Sequence, residues 1–255
     1  MMRPVTMRSA LEAARFAARF AARSFSYSSE LAADRPAKTA LHALHVERGG
    51  KMVDFGGWDM PVVYSDATIV ESTLHTRAAA SLFDVSHMGQ IRVHGADRAA
   101  FMESIVVGDI QGLDENFGRL SVMTNETGGV IDDLVVSRRE GHIYTVVNAG
   151  CFDKDWAHMS ASADAFRGGG GDVTLELMEE HSLVALQGPK AAAVLESLSG
   201  QDLSPLPFMY GRELTLDGGV CQITRCGYTG EDGFEISVHI RIPQLRFDSL
   251  TNPCR

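Results

Sequence analysis

The chain has 255 residues, 23 Lys+Arg against 33 Asp+Glu, and a formal net charge of −10. Apolar residues make up 45% and charged residues 22%, which excludes collagen-like, low-complexity and wholly disordered chains. The acidic balance argues against a broad nucleic-acid surface, which needs a basic face. The four cysteines, at 151, 221, 226 and 254, have neither metal-ligand spacing nor the density of a disulfide framework, and suit a reducing compartment.

The charge is uneven. Residues 1–25 hold Arg3, Arg8, Arg15, Arg19 and Arg23 against one acid, Glu12, so this segment is +4 and the rest is −14. An Arg-rich, Ala/Ser-rich, acid-poor amphipathic start reads as a mitochondrial or chloroplast transit peptide, the mitochondrial matrix being the expected location, and no apolar run is long enough to be a membrane span. The competing reading is a basic amphipathic helix that stays on the protein. Residues 26–38 are Ser/Ala-rich and read as a linker.

The spacing then predicts a helix over 67–80 and a short strand over 91–93. A helix over 97–106 follows, with Asp97 as its cap. Residues 122–124 and 129–136 read as extended, and a turn over 138–141 leads into a strand over 142–147, making a hairpin. A helix over 152–166 ends in a glycine run, 168–171, that reads as a flexible link because it lacks the Lys-Ser/Thr of a phosphate loop. Strands are predicted over 173–177 and 183–186. A helix over 189–198 opens with Pro189 near its first turn. A second hairpin, 213–216 with 220–224, turns at 217–219, and a last strand covers 234–240. This mixed order predicts an α+β fold with mainly antiparallel sheets and short helices.

Three features offer chemistry. Asp132 and Asp133 lie in the apolar stretch Ile131-Asp132-Asp133-Leu134. Strand alternation sends neighbours to opposite faces, so one carboxylate should meet an enclosed side and the other solvent. The enclosed one could act as acid, base or acceptor; the plain alternative is a solvated strand-edge pair. Arg225 through Glu235 surrounds Tyr228 with glycines. Glu235 opens an apolar strand, where a carboxylate can accept two parallel N–H bonds from a pterin-like or purine-like edge. The alternative there is an ordinary turn with Glu235 on the wet face. Phe83-Asp84-Val85-Ser86-His87-Met88 brings Asp, Ser and His together, but adjacency is not a triad, and a buried turn with a satisfied histidine is the better reading. The nine histidines show no zinc spacing, so no metal is expected.

Nine ordered segments then resemble one family. They are Gly50 to Pro61 (GKMVDFGGWDMP), Leu74 to Arg77 (LHTR), Leu82 to Met88 (LFDVSHM), Thr124 to Glu126 (TNE), Gly128 to Leu134 (GGVIDDL), Val147 to Gly150 (VNAG), Ala185 to Pro189 (ALQGP), Leu206 to Met209 (LPFM) and Thr224 to Val238 (TRCGYTGEDGFEISV). Together they resemble aminomethyltransferase, the T-protein of the glycine cleavage system, over roughly 39–238. The resemblance implies a cloverleaf folate-binding fold, with tetrahydrofolate as co-substrate and the lipoyl arm of the H-protein as donor. The acidic balance, the lack of a long apolar run and the Arg-rich start add the expectation of no nucleic-acid or membrane partner and a mitochondrial matrix location. The resemblance places the reactive carboxylate on Asp133, with Asp132 as the adjacent alternative, the pterin-binding carboxylate on Glu235, and Asn148 and Tyr228 on the folate cavity. The family continues beyond this match into a further segment with a pterin-contacting arginine and a C-terminal barrel, whereas residues 239–255 do not match. The expectation is a C-terminally truncated, incomplete folate domain, with an inactive folate- or H-protein-binding fragment as the alternative. A flavin-linked folate dehydrogenase is disfavoured, because no G-x-G-x-x-G follows a strand.

Overall fold

The computed structural model describes residues 36–216 and 218–240, so the predicted leader and most of the final segment lie outside the described residues. The fold is α+β, with antiparallel sheets and short helices, as expected. The chain divides into two compact units.

The first unit takes its described residues from 36–86, 179–207 and 213–240. It opens with helix α1 (His42–Glu47) and the hairpin β1 (Gly50–Phe55) and β2 (Trp58–Tyr64), none of which the sequence patterning predicts. The hairpin turns on Gly56 and Gly57, both at positive φ (60° and 86°), with Phe55 opposite Trp58. Two consecutive left-handed residues match the twist of the flanking strands, and glycine adopts them without a Cβ penalty. Ala37 pairs with the same turn, donating to the Gly57 carbonyl at 2.7 Å.

Helix α2 (Ile69–Ala78) is the predicted 67–80 helix. Thr68 and Glu71 form a capping box that satisfies two otherwise unpaired N–H groups. The short strand β3 (Ser81–Asp84) was also unpredicted. It edges a five-stranded sheet ordered β10-β11-β12-β9-β3, with β9 (His181–Gln187), β10 (Gly211–Leu216), β11 (Gly219–Thr224) and β12 (Gly233–His239).

Helix α5 (Ala191–Ser199) packs on β12, burying Ala191, Val194 and Leu195 at helical spacing. Pro189 precedes its N-cap, Lys190, so it stands outside the helix rather than in its first turn. The core joins this helix to Val184 and Leu186 of β9 and Phe234, Ile236 and Val238 of β12. Alternation along β12 therefore sends Glu235 to the opposite sheet face.

The second unit covers 87–178 and 208–212. Its sheet is ordered β5-β6-β7-β4-β8, with β4 (Gly89–His94), β5 (Gly118–Thr124), β6 (Val130–Arg139), β7 (His142–Val147) and β8 (Thr174–Leu177). The predicted β6–β7 hairpin is present but tighter than expected: Arg139 pairs with His142, leaving only Glu140 and Gly141 in the turn. Helix α3 (Arg98–Ile105) starts beside Asp97, yet the Asp97 side chain makes no cap bond. It accepts instead from the backbone N–H of Asp172 at 2.9 Å, tying the helix start to a segment 75 residues away.

Helix α4 (Phe152–Gly168) runs into the glycine cluster. The N–H of Gly169 bonds the carbonyls of Ala165 and Phe166, and that of Gly171 bonds Phe166. The predicted flexible link is thus a hydrogen-bonded helix stop, which satisfies carbonyls that every helix end leaves unpaired.

Candidate functional site

The IDDL carboxylates sit where β6 outruns its partner. The last β6–β7 pair is Leu134 with Val147, so Asp132 and Asp133 continue past the end of β7. There the chain leaves the sheet through Asn148, which precedes a short 3-10 turn (Ala149–Cys151) and then α4. The Asn148 amide turns back across the gap. Its Nδ2 donates to Asp132 Oδ2 at 3.1 Å, and to Asp133 Oδ1 and the Asp133 carbonyl at 3.0 Å each.

One amide therefore fixes both carboxylates. Asp132 is half-buried and Asp133 exposed. Burial pushes the Asp132 carboxyl up, but its contacts with Asp155, Asn148 and Cys151 outweigh it and hold the group below the usual carboxylate range. Lys154, in the first turn of α4, donates to the Ile131 carbonyl and lies 3.5 Å from Cys151 Sγ. The structure thus brings together Asp132, Asp133 and Asn148, and adds Cys151, Lys154 and Asp155. These last three carried no motif. A visible signal was nevertheless present: Asp155 falls on the apolar stripe of α4, between Phe152 and Met159.

Glu235 and Tyr228 belong to the first unit. Glu235 pairs with Ala185 of β9 and Thr224 of β11, both buried. Burial raises its carboxyl above the ordinary value of 4.5, and a hydrogen bond with the Cys226 thiol offsets this only partly. Glu235 itself is half-buried. Tyr228 is 74% exposed at the tip of the preceding loop.

That loop is held from both sides. Arg225 makes a bidentate pair with Asp232 (Nε–Oδ1 2.8 Å, Nη2–Oδ2 2.7 Å) and donates to the carbonyls of Leu206 and Leu203. Its guanidinium lies 5.5 Å from the centre of the Phe234 ring. The planar fork serves four acceptors at once, which an ammonium cannot. Arg225→Lys should lower stability by about 1–3 kcal/mol, read as an earlier urea midpoint with unchanged slope.

Inside the loop, buried Gln187 donates to the Cys226 carbonyl at 2.9 Å and accepts from Thr229 Oγ1 at 3.1 Å. A Cβ on Gly227 would stand 1.8 Å from Gln187 Oε1. Gly227→Ala should therefore displace Gln187 and cost about 1–3 kcal/mol, seen as a lower melting temperature.

The Asp-Val-Ser-His stretch forms no triad. Asp84 Oδ2 accepts from Thr39 Oγ1 at 2.7 Å and pairs with His45 Nε2 at 2.9 Å, while His45 Nδ1 meets the Tyr64 hydroxyl at 2.8 Å. Burial pushes the Asp84 carboxyl up, yet its hydrogen bonds with His45, Ser86 and Thr39 prevail and keep it below the usual range. This network ties α1, β2 and β3 together. His87 is buried, as the turn reading expected. Among the described residues no group of three or more His, Cys, Asp or Glu could hold a metal ion, and no helix is long and apolar enough to cross a membrane.

Comparisons with known proteins agree with this architecture. The family model described as the GCVT N-terminal domain matches residues 41–252, running past Val238, where the segments read from the sequence stop. The mitochondrial aminomethyltransferase of Dictyostelium discoideum is 49% identical over 217 residues, covering 84% of this chain and 52% of that protein. Its counterpart in Mus musculus is 52% identical over 203 residues, covering 79% and 50%. The crystal structure of glycine cleavage system aminomethyltransferase T from Bartonella henselae superposes with a TM-score of 0.75 at 38% identity, covering 84% of this chain and 56% of that one. The chain thus spans about half the length of the curated relatives it matches. With a family model matched over most of its length, the chain belongs to the aminomethyltransferase family of the glycine cleavage system, the GCVT family.

Proposed function

We propose that this chain serves aminomethyl transfer: the methylene of an aminomethyl group on the lipoyl arm of an H-protein passes to tetrahydrofolate, and ammonia is released. The observation that carries this reading is the Asn148 amide bonded to both IDDL carboxylates, which presents an exposed Asp133 in a fixed orientation. Orientation of this kind lowers a barrier without any covalent enzyme intermediate. Tetrahydrofolate, when bound, supplies the nitrogen that receives the one-carbon unit.

The chain's own groups do the rest. Asp133 orients that nitrogen and accepts a proton from it. Glu235, desolvated between Ala185 and Thr224, accepts N–H bonds from the pterin edge and so fixes the ring. The fit is chemical: a half-buried carboxylate whose thiol partner is a weak donor gains from a stronger N–H donor. Tyr228, exposed on its loop, offers an aromatic face for a ligand, and Asn148 holds Asp132 and Asp133 in the second unit. The mitochondrial names of the relatives and the Arg-rich start support a matrix location.

The alternative reading is a folate- or H-protein-binding fragment without turnover. Ammonia release from aminomethylated H-protein with tetrahydrofolate separates the two. Release above the enzyme-free rate supports the transferase. Tetrahydrofolate binding without release supports the fragment.

A further inference from the structure

Asp155 is the feature that the proposed chemistry leaves unused. It is 0% exposed, on the same stripe of α4 as the buried Phe152, Met159 and Ala163. Among the described residues, no hydrogen-bond donor reaches either of its carboxylate oxygens. An ionised carboxylate there would be a buried charge without a donor, which is among the costliest arrangements a core can hold. What it meets is Asp132, a second carboxyl group. Two carboxyl groups can hydrogen-bond only when one of them carries a proton.

The surroundings decide which one. Asp132 already accepts from Asn148 and Cys151, which favours its charged form. Asp155 has only Asp132 and an apolar stripe. Burial, then the contact with the Asp132 side chain and its negative charge, push the Asp155 carboxyl up to about 7.

Other charges are few. Lys154 on the same helix pulls the Asp155 carboxyl down and Asp133 on β6 pushes it up. On the neighbouring elements, Glu176 of β8 is engaged by Arg92 and His94. Glu103 of α3 accepts from the Ile110 and Gln111 amides, and Arg98 donates to the Gly95 carbonyl.

We propose that Asp155 is a positioning residue: it shares a proton with Asp132, and that proton locks the chain Asp155–Asp132–Asn148–Asp133 in the orientation that presents Asp133. The proposal rests on the reading of Asp133 as the reactive carboxylate. Loss of the proton places two carboxylates in contact, and Asp132 must then move or find another donor. Because Asp132 shares the Asn148 amide with Asp133, the disturbance passes to Asp133. Transfer activity should therefore decline as the pH rises through about 7.

The test follows the proton and the amide separately from turnover. The chain is labelled with 13C at aspartate carboxyls and 15N at asparagine side chains, then titrated by NMR from about pH 5 to about pH 9, a window that brackets the shifted group and lies above ordinary carboxyls. One aspartate carboxyl should titrate near 7 and be missing from Asp155→Asn. The Asn148 Nδ2 resonance should move over the same range in the parent. It should stay fixed in Asp155→Asn, which keeps a neutral donor toward Asp132. Asp155→Ala, with no donor, should show the high-pH position of that resonance throughout. If no aspartate titrates above the ordinary range, or if Asn148 ignores the transition, the proposal is overturned.

Ammonia release supplies the functional readout. The decline above neutrality should disappear in Asp155→Asn, and an unchanged decline in that variant overturns the positioning role. If ammonia release is absent at every pH while the NMR transition occurs as described, it is the aminomethyltransferase reading that fails, and the shared proton stands on the NMR.

Discussion

Asp133→Asn should cut ammonia release by roughly a hundred- to ten-thousand-fold, the range expected when a positioned acid–base group is lost. Tetrahydrofolate affinity should change little. The substitution keeps the size and shape of the side chain and exchanges one carboxylate oxygen for an amide. Asp133 is exposed, so little folding stability depends on its charge. Its Oδ1 accepts from Asn148 at 3.0 Å, and an asparagine with its carbonyl oxygen turned to that amide keeps the contact. What is lost is the capacity to take up a proton. Steady-state kinetics with separate equilibrium titration of tetrahydrofolate would show a fall in kcat with KM nearly constant, the signature of an interaction needed beyond ground-state binding.

Asp132→Asn supplies the control. Asp132 is enclosed by Asn148, Cys151 and Asp155, so its replacement should act on structure and orientation. If Asp132→Asn proves severe and Asp133→Asn mild, the roles of the two carboxylates are reversed. Thermal melting across pH adds an independent check. Between the ordinary carboxyl range and about 7, the folded chain retains a proton on Asp155 that the unfolded chain has released. Stability should therefore fall as the pH rises through that window, with the loss complete above it. Asp155→Asn should remove this part of the slope.

Local patterning reached some of these elements and not others, for physical reasons. Helix α5 was legible because Ala191, Val194 and Leu195 form an apolar stripe, and β12 because Phe234, Ile236 and Val238 alternate. The capping box at Thr68 and Glu71 is equally local, but the helix over 67–80 was predicted without it. The first hairpin was missed although Gly56-Gly57 between Phe55 and Trp58 is a readable two-residue turn. Its strands are thinly buried and mixed in character, so hydrophobic alternation gives them no period. Strand β3 is four residues long and exists by pairing with β9, about a hundred residues away, which no local window contains.

The glycine run and Asp97 show the same limit. Composition says that four glycines are permissive; hydrogen bonds to Ala165 and Phe166 make them a stop. An aspartate before a helix says cap, but the Asp172 N–H claimed the carboxylate. At the candidate site, family resemblance pointed to Asp133, Asn148 and Glu235, but alternation alone could not say which carboxylate was enclosed. Nor could it show that one amide serves both, since β6 outrunning β7 is a property of sheet register.

Glu235→Gln should weaken tetrahydrofolate binding by about 10- to 100-fold, the equivalent of one charge-assisted hydrogen bond of roughly 1.5–3 kcal/mol. Glutamine presents one acceptor and one donor where the carboxylate presents two acceptors, so one pterin N–H would face an amide N–H. The pH dependence carries a sign. Burial holds the Glu235 carboxyl above its ordinary value, and an N–H edge pairs with the ionised form only. Affinity is therefore full above the Glu235 pKa and lost as the pH falls through it. The loss begins at a higher pH than for a solvated glutamate, and calorimetric titration in the parent should record it as a weakening on the acid side. Glu235→Gln, which has no charge to lose, should bind weakly and equally across that range. A parent affinity that ignores acidification, together with an unchanged affinity in Glu235→Gln, would remove Glu235 from the pterin edge. Loss of the acid-side weakening in Glu235→Gln alone would fix it there, opposite in sign to the decline above neutrality that Asp155 is expected to cause.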